Sequence, residues 1–160
     1  MTQTPSTPRP TGDDAKLPTF LCFAVYSANL AFGRAYKPIL EALGLTYTQY
    51  IALVALAEED DQTVGALGDK LFLESNTLTP MLKKLEQVGY VRRQRDPADE
   101  RQVRISLTSA GRDLLNTETG VSLIEATGLG EDFAAVQRSV VRLRDNLLRA
   151  TQAKPSKSAP

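Results

Sequence analysis

Ser75-Asn76-Thr77-Leu78-Thr79-Pro80-Met81-Leu82-Lys83-Lys84-Leu85-Glu86-Gln87-Val88 is the stretch whose pattern decides the fold. Leu78, Met81, Leu82, Leu85 and Val88 recur at i, i+3, i+4, i+7 and i+10, which is one face of an α-helix. The opposite face is sorted. Asn76, Thr77 and Thr79 put short hydrogen-bonding side chains at one end, and Lys83 and Lys84 put positive charge at the other. That order suits a helix whose open face meets base edges and phosphates. A helix that only coats a core rarely needs it. Pro80 removes one backbone hydrogen bond and disfavours helix at Thr79, so a bend is expected near the start.

The residues after this helix complete the unit. Residues 90–95 carry three arginines, Arg92, Arg93 and Arg95. Residues 102–107 alternate Val103, Ile105 and Leu107 inward with Arg104 and Ser106 outward, the period of a strand. Asp96-Pro97-Ala98-Asp99-Glu100-Arg101 between them reads as a hairpin loop with Arg101 near its tip. A helix followed by a two-stranded wing is the winged helix-turn-helix, the helix suited to the major groove and the wing to backbone or minor groove. The expected fold is therefore mainly α with a small antiparallel β-wing. Candidate contacts to double-stranded DNA are Ser75, Asn76, Thr77, Thr79, Lys83, Lys84, Arg93, Arg95 and Arg101.

Composition narrows the chemistry. The 160 residues are 42% hydrophobic, as expected of a soluble globular chain, with no apolar run of membrane-spanning length, so no membrane partner is expected. Nineteen basic and nineteen acidic residues cancel. Their distribution does not. Residues 81–107 hold Lys83, Lys84, Arg92, Arg93, Arg95, Arg101 and Arg104 against Glu86, Asp96, Asp99 and Glu100, which concentrates positive charge in helix and wing. The chain has no histidine, which removes Ser-His, Cys-His and His-metal sites; with a single cysteine, zinc of the usual kinds is excluded too. No metal or other cofactor is expected. One cysteine forms no internal disulfide and fits a reducing cytosol, hence a cytoplasmic location.

Residues 1–16, rich in Thr, Pro and Asp, read as a flexible arm, and residues 152–160 as a flexible tail. Between them lies one expected domain, residues 17–151, with the winged helix-turn-helix at 46–108 and dimerisation helices at 17–43 and 108–151. Residues 18–43 form a helix apolar almost all the way round, including Phe20, Leu21, Phe23, Val25, Leu30, Phe32, Ile39 and Leu40. Such a helix must be covered on several sides, and a second subunit is the economical cover. Gly44 ends it, and Thr46 or Thr48 caps the next, residues 49–57. Glu58-Glu59-Asp60-Asp61 reads as a solvated turn, Thr63 as the cap of a short helix carrying Val64, Leu67 and Leu71, and Phe72-Leu73-Glu74 as the corner of the helix-turn-helix. After the wing a helix is expected from Thr108 through about Thr127, broken by Gly128-Leu129-Gly130. In the last helix, residues 131–150, Phe133, Val136, Val140, Leu143 and Leu147 make a short coiled-coil seam.

Cys22 lies early in the first helix between Leu21 and Phe23, with Tyr26 one turn on along the same face. A buried cysteine is ordinarily a small hydrophobe; a reactive one needs its thiolate stabilised, and with Pro18 as the first helical residue Cys22 already lies past the first turn. Leu21-Cys22-Phe23 with Tyr26, Tyr36-Lys37-Pro38, Leu45-Thr46-Tyr47-Thr48-Gln49-Tyr50, the run Leu78-Thr79-Pro80-Met81-Leu82-Lys83-Lys84-Leu85-Glu86, and Asp99-Glu100-Arg101 together resemble the MarR family, specifically its organic-hydroperoxide resistance repressors. The resemblance is close over residues 17–115. It implies a homodimeric repressor that is not an enzyme. Its two recognition helices would occupy successive major grooves of a pseudo-palindromic operator, and Arg101, braced by Asp99, the flanking minor groove. It also implies that Cys22 is the thiol oxidised by an organic hydroperoxide inducer, with Tyr36 and Tyr47 hydrogen-bonded to it and Tyr26 nearby. Tyr36 is fourteen residues from Cys22 on one helix, roughly 21 Å at 1.5 Å per residue, so it can serve only the partner's cysteine. Repressors of this type that finish with an intersubunit disulfide carry a second cysteine near the end of the fifth helix, where this chain has Glu125-Ala126-Thr127-Gly128. Cys22 would then use a low-molecular-weight thiol, or further oxidation, to hold the switched state. Two other readings stay open: the same fold released by a small aromatic ligand, with Cys22 as packing, and a thiol peroxidase turning over through Cys22.

Overall fold

The computed structural model describes residues 16–117 and 123–152. They divide into two compact units that part between residues 119 and 120, inside the region expected as one domain. The expected arm and tail lie outside the described residues, apart from Lys16 and Gln152.

In the first unit, α1 (Leu21–Leu43) ends on Gly44, whose left-handed backbone (φ 66°) lets its N–H and that of Leu45 close on the carbonyls of the last turn. α2 (Tyr47–Glu58) starts on a capping box: the Thr46 hydroxyl accepts from Gln49 N (3.3 Å) while Gln49 Oε1 accepts from Thr46 N (2.8 Å), which selects Thr46 over Thr48 as the cap. β1 (Gln62–Thr63) leads into α3 (Val64–Leu71), capped by Thr63. Phe72 then adopts φ 56°, turning the corner into α4 (Ser75–Gln87). The wing is β2 (Val91–Arg95) and β3 (Val103–Leu107), paired antiparallel from Val91 opposite Leu107 to Arg95 opposite Val103. β1 adds a third antiparallel strand, giving the order β1-β3-β2. Leu53, Leu56, Leu67, Leu78, Leu82, Leu85 and Ile105 have no exposed surface and, with Val91 and Leu107, form the core that α2, α3 and α4 share with the sheet. α5 (Ser109–Leu115), capped by Thr108, closes this unit.

Several expectations need correction. The helix expected from residue 18 is a 3₁₀ turn, Leu17–Thr19, followed by extended Phe20, so α1 begins at Leu21. The fixed φ of Pro18 suits the tight turn, and the extended Phe20 keeps that turn from continuing into the helix. Helix α4 runs through Pro80 without a break and stops at Gln87; Val88 is its C-cap and 59% exposed, because Gly89 at φ 81° turns the chain before another core residue can be presented. The acidic run is not just a solvated turn: Asp61 takes a left-handed φ of 54°, and Asp60 and Asp61 grip β3 and α5. α5 stops at Leu115, where Asn116 and Thr117 close the last turn, instead of running to Thr127. Residues 118–122 of that expected helix lie outside the described residues.

The second unit begins with the short α6 (Leu123–Ala126), and the expected break is present: Gly128 and Gly130 both take positive φ. A 3₁₀ turn, Gly130–Asp132, leads into α7 (Phe133–Gln152). Within its own unit α7 buries nothing, and its seam residues Val136, Val140 and Leu147 are 40%, 49% and 58% exposed. α1 shows the same lack in the first unit: only Ile39 and Leu40 are buried, while Leu21, Val25, Tyr26, Leu30 and Phe32 stand open. No single helix among the described residues is long and apolar enough to cross a membrane.

Candidate nucleic-acid interface and the Cys22 site

Three fully buried leucines, Leu78, Leu82 and Leu85, fix the rotation of α4. Its opposite face is thereby decided: Ser75, Asn76, Thr77, Lys83 and Lys84 are exposed and Thr79 half-buried. The N-cap, Glu74, makes no side-chain cap bond, so the first turn, with its short polar side chains, keeps N–H groups available to an outside acceptor.

The wing turn is built on two aspartates. Asp99 Oδ1 accepts from the backbone N (3.2 Å) and Nε (3.0 Å) of Arg101, and its Oδ2 accepts from Arg101 Nη2 (3.3 Å) and Gln102 Nε2 (3.2 Å). The Arg101 bonds, then Gln102, hold the Asp99 carboxyl below the ordinary aspartate range. The result is an arginine whose side chain is 90% exposed yet orientationally fixed. Asp96 Oδ1 accepts from Ala98 N (2.8 Å), and its Oδ2 from Arg104 Nη1 (3.1 Å).

The arginines of β2 divide by strand period. Arg93 faces the core side with Ile105 opposite; its backbone N and Nη1 donate to Glu86 Oε1 (3.1 Å) and Oε2 (3.4 Å), and its side chain is only 20% exposed. Unlike the other candidates, Arg93 is tied to α4 and offers little free charge. Arg95 is exposed. Arg92 is exposed as well, on the other face of the strand, and strict alternation from Val91 was the signal for it. Arg104, read from its sequence position as merely outward, is a junction. Its Nε donates to Asp61 Oδ1 (3.0 Å), its Nη1 to Asp96, and its Nη2 to the Asp61 carbonyl.

Cys22 is the second residue of α1 and exposed. The shift in helix start matters here, because it moves the sulfur into the first turn, where N–H groups lack intrahelical acceptors and the helix dipole favours negative charge. Phe23 and Tyr26 lean together, ring centroids 6.4 Å apart. Farther along, Tyr36 meets Tyr47 edge-on at 5.1 Å and Tyr50 at 6.2 Å, bringing α1 against the start of α2. Burial, then the neighbouring Tyr47 and Tyr50, pushes the Tyr36 phenol above its ordinary range, so it stays a neutral hydrogen-bond donor. The chain thus assembles Tyr36, Tyr47 and Tyr50 in one cluster. Cys22 and Tyr26 sit well up α1 from it, Cys22 by roughly 21 Å for fourteen residues at the helical rise.

The family model of the transcriptional regulators SarA/Rot matches residues 34–117, the span from mid-α1 through the wing to α5. The HTH-type transcriptional regulator TtmR of Methylorubrum extorquens is 46% identical over 135 residues, covering 78% of this chain and 69% of that protein. The organic hydroperoxide resistance transcriptional regulator of Bacillus subtilis is 39% identical over 142 residues, covering 84% of this chain and 94% of its own length. Among solved structures, reduced AbfR bound to DNA superposes with a TM-score of 0.68 at 36% identity, over 80% of this chain and 92% of that one.

Proposed function

The chain belongs to the MarR-type winged-helix transcriptional regulators, and on that premise we propose that it is a homodimeric repressor that leaves its operator when an organic hydroperoxide oxidises Cys22. The observation that carries the proposal is the distance between Cys22 and the Tyr36–Tyr47 pair, roughly 21 Å along one helix. Neutral tyrosine hydroxyls are apt donors to a thiolate, and only a second subunit can bring them to Cys22. The uncovered apolar side chains of α1 and of α7 supply the surface such a subunit needs. The Bacillus subtilis relative is named for resistance to organic hydroperoxide, and AbfR has been seen reduced on DNA, so both the inducer class and the DNA-bound reduced state have precedent among similar proteins.

In the reduced dimer, α4 of each subunit enters a major groove with Ser75, Asn76, Thr77 and Thr79 toward base edges and Lys83 and Lys84 toward phosphates; Arg95 approaches the backbone and Arg101 the flanking minor groove. On exposure to hydroperoxide, the Cys22 thiolate attacks the terminal peroxide oxygen. An S–O bond forms, the O–O bond breaks, and the alkoxide leaves as alcohol on taking up a proton; sulfur is oxidised and peroxide reduced. The sulfenic acid no longer bears the charge the tyrosines were bonded to, and the intersubunit contact repacks. With no second cysteine in the chain, a low-molecular-weight thiol, or further oxidation of the sulfur by a second hydroperoxide, fixes the switched state.

The test is fluorescence anisotropy on a labelled duplex from upstream of the chain's own gene, with cumene hydroperoxide added and then a reductant. Wild-type protein should leave the duplex and return on reduction, whereas Cys22→Ser should stay bound throughout. Release of Cys22→Ser by the same hydroperoxide would remove the thiol from the mechanism. A wild-type protein indifferent to hydroperoxide but released by a small aromatic acid would restore ligand control in its place.

A further inference from the structure

Resting on the proposed DNA binding, we infer that Arg104 is a positioning residue, which sets the pose of the wing so that Arg101 reaches DNA. Every nitrogen of its guanidinium is engaged: Nε with Asp61 Oδ1 at 3.0 Å, Nη1 with Asp96 Oδ2 at 3.1 Å, and Nη2 with the Asp61 carbonyl. One carboxylate belongs to the turn of the wing itself and the other to the corner between α2 and β1. A hairpin of two five-residue strands has little rigidity of its own, and a planar fork bound at both ends fixes its cant in a way an ammonium cannot.

The corner that receives the fork is itself held. Asp61 takes a left-handed backbone (φ 54°), its Oδ1 also accepts from Ser106 Oγ (3.3 Å), and its neighbour Asp60 accepts from Leu107 N (2.8 Å) and pairs with Arg112. Gln62, buried to 7% exposure, donates from Nε2 to the Ala55 carbonyl (3.1 Å) and ties the corner to the last turns of α2. The wing is therefore referenced, through Arg104, to a helix whose inner face is core and whose first turn carries Tyr47 and Tyr50. Three of the five guanidinium N–H groups of Arg104 are committed inside the protein and its side chain is two-thirds covered, so the contribution assigned to it passes through another residue. Arg101, five residues from Asp96 on the same turn, is the side chain that a tilted wing would withdraw.

Coupling distinguishes positioning from direct contact and from a general structural role. Affinity for the upstream duplex is measured for wild type, Arg101→Ala, Arg104→Gln and the double variant, with thermal unfolding of each. Arg104→Gln should lose roughly tenfold or more in affinity, comparable with Arg101→Ala, and the double variant little beyond either single one. Amide exchange should rise across residues 96–102 while α3 and α4 keep their protection. Asp61→Asn breaks the same bond from the other side and should reproduce the loss, so a poorly folding Arg104→Gln does not remove the test. Losses that multiply in the double variant, or exchange that rises equally in α4, overturn the inference while leaving DNA binding intact. A wild-type protein that does not retain the duplex sinks DNA binding itself, and the positioning role of Arg104 with it.

Discussion

Arg101 leaves the wing turn with nine-tenths of its side chain exposed and its guanidinium aligned by one carboxylate, which removes most of the orientational entropy that an exposed arginine would lose on binding. Arg101→Ala should weaken operator binding by about 1 to 3 kcal/mol, the range for one groove contact. Equal affinity of variant and wild type at physiological salt would rule out the groove assignment. Arg93 stands in contrast: its ion pair with Glu86 across α4 and β2 engages its charge inside the protein. Composition alone could not separate these two arginines, because the difference is position: Arg93 lies on the face of β2 that meets Glu86 of α4, whereas Arg101 stands in the wing turn beyond the strand. Cys22 was legible as the one thiol in the chain. Its place in the first turn was not, since Pro18 is equally at home opening an α-helix or a 3₁₀ turn.

The wing is held by carboxylates, so acid should loosen it. Asp61 is kept below the ordinary aspartate value by Arg104, Asp96 by Ala98 N–H and then Arg104, and Asp99 by Arg101. A carboxyl depressed in the folded state contributes stability that is present above its unfolded value, near 3.8, and is lost as pH falls from there through the depressed folded value. NMR of the Arg101 Nε–H should therefore keep its bonded shift down through the ordinary aspartate range and lose it only below; collapse already above about pH 5 would contradict the brace. At the joint between sheet and α5, Gly111 is there for space. A Cβ on it would meet the Tyr90 carbonyl oxygen at closer than van der Waals distance and Leu107 Cδ1 at 2.8 Å, in a place where backbone cannot yield. Gly111→Ala should destabilise the first unit by about 1 to 3 kcal/mol in denaturant unfolding. An unchanged midpoint would mean that α5 shifts freely on the sheet.

Two helices, one in each compact unit, expose apolar faces that their own units leave uncovered, and the proposed dimer is what gives them a function. Leu147 on α7 is 58% exposed within its unit, so a charge there should disturb association more than folding. Leu147→Glu should shift the protein toward monomer in light scattering coupled to size-exclusion chromatography, keep its helical circular dichroism, and bind a two-half-site duplex far more weakly than wild type. A variant that remained dimeric would take α7 out of the interface. The apolar periods of α1 and α7 announced in the sequence that something must cover them.

The sequence by itself determined the winged helix-turn-helix. Its helical period placed Leu78, Leu82 and Leu85 inward and the polar and lysine face outward, its strand period set the wing, and its cap at Thr63 started α3, because each of these signals is local and spans only a few residues. Tertiary structure decided what depends on neighbours distant in the chain. It made β1 a strand by offering it β3, turned an acidic run into the bracket for Arg104 and Arg112, stopped Val88 short of the core, took Arg93 out of the free charge, and gathered Tyr36 with Tyr47 and Tyr50. No period carries that information, because a side chain's partner across 43 or 52 residues is fixed only when the core has set the distance between them.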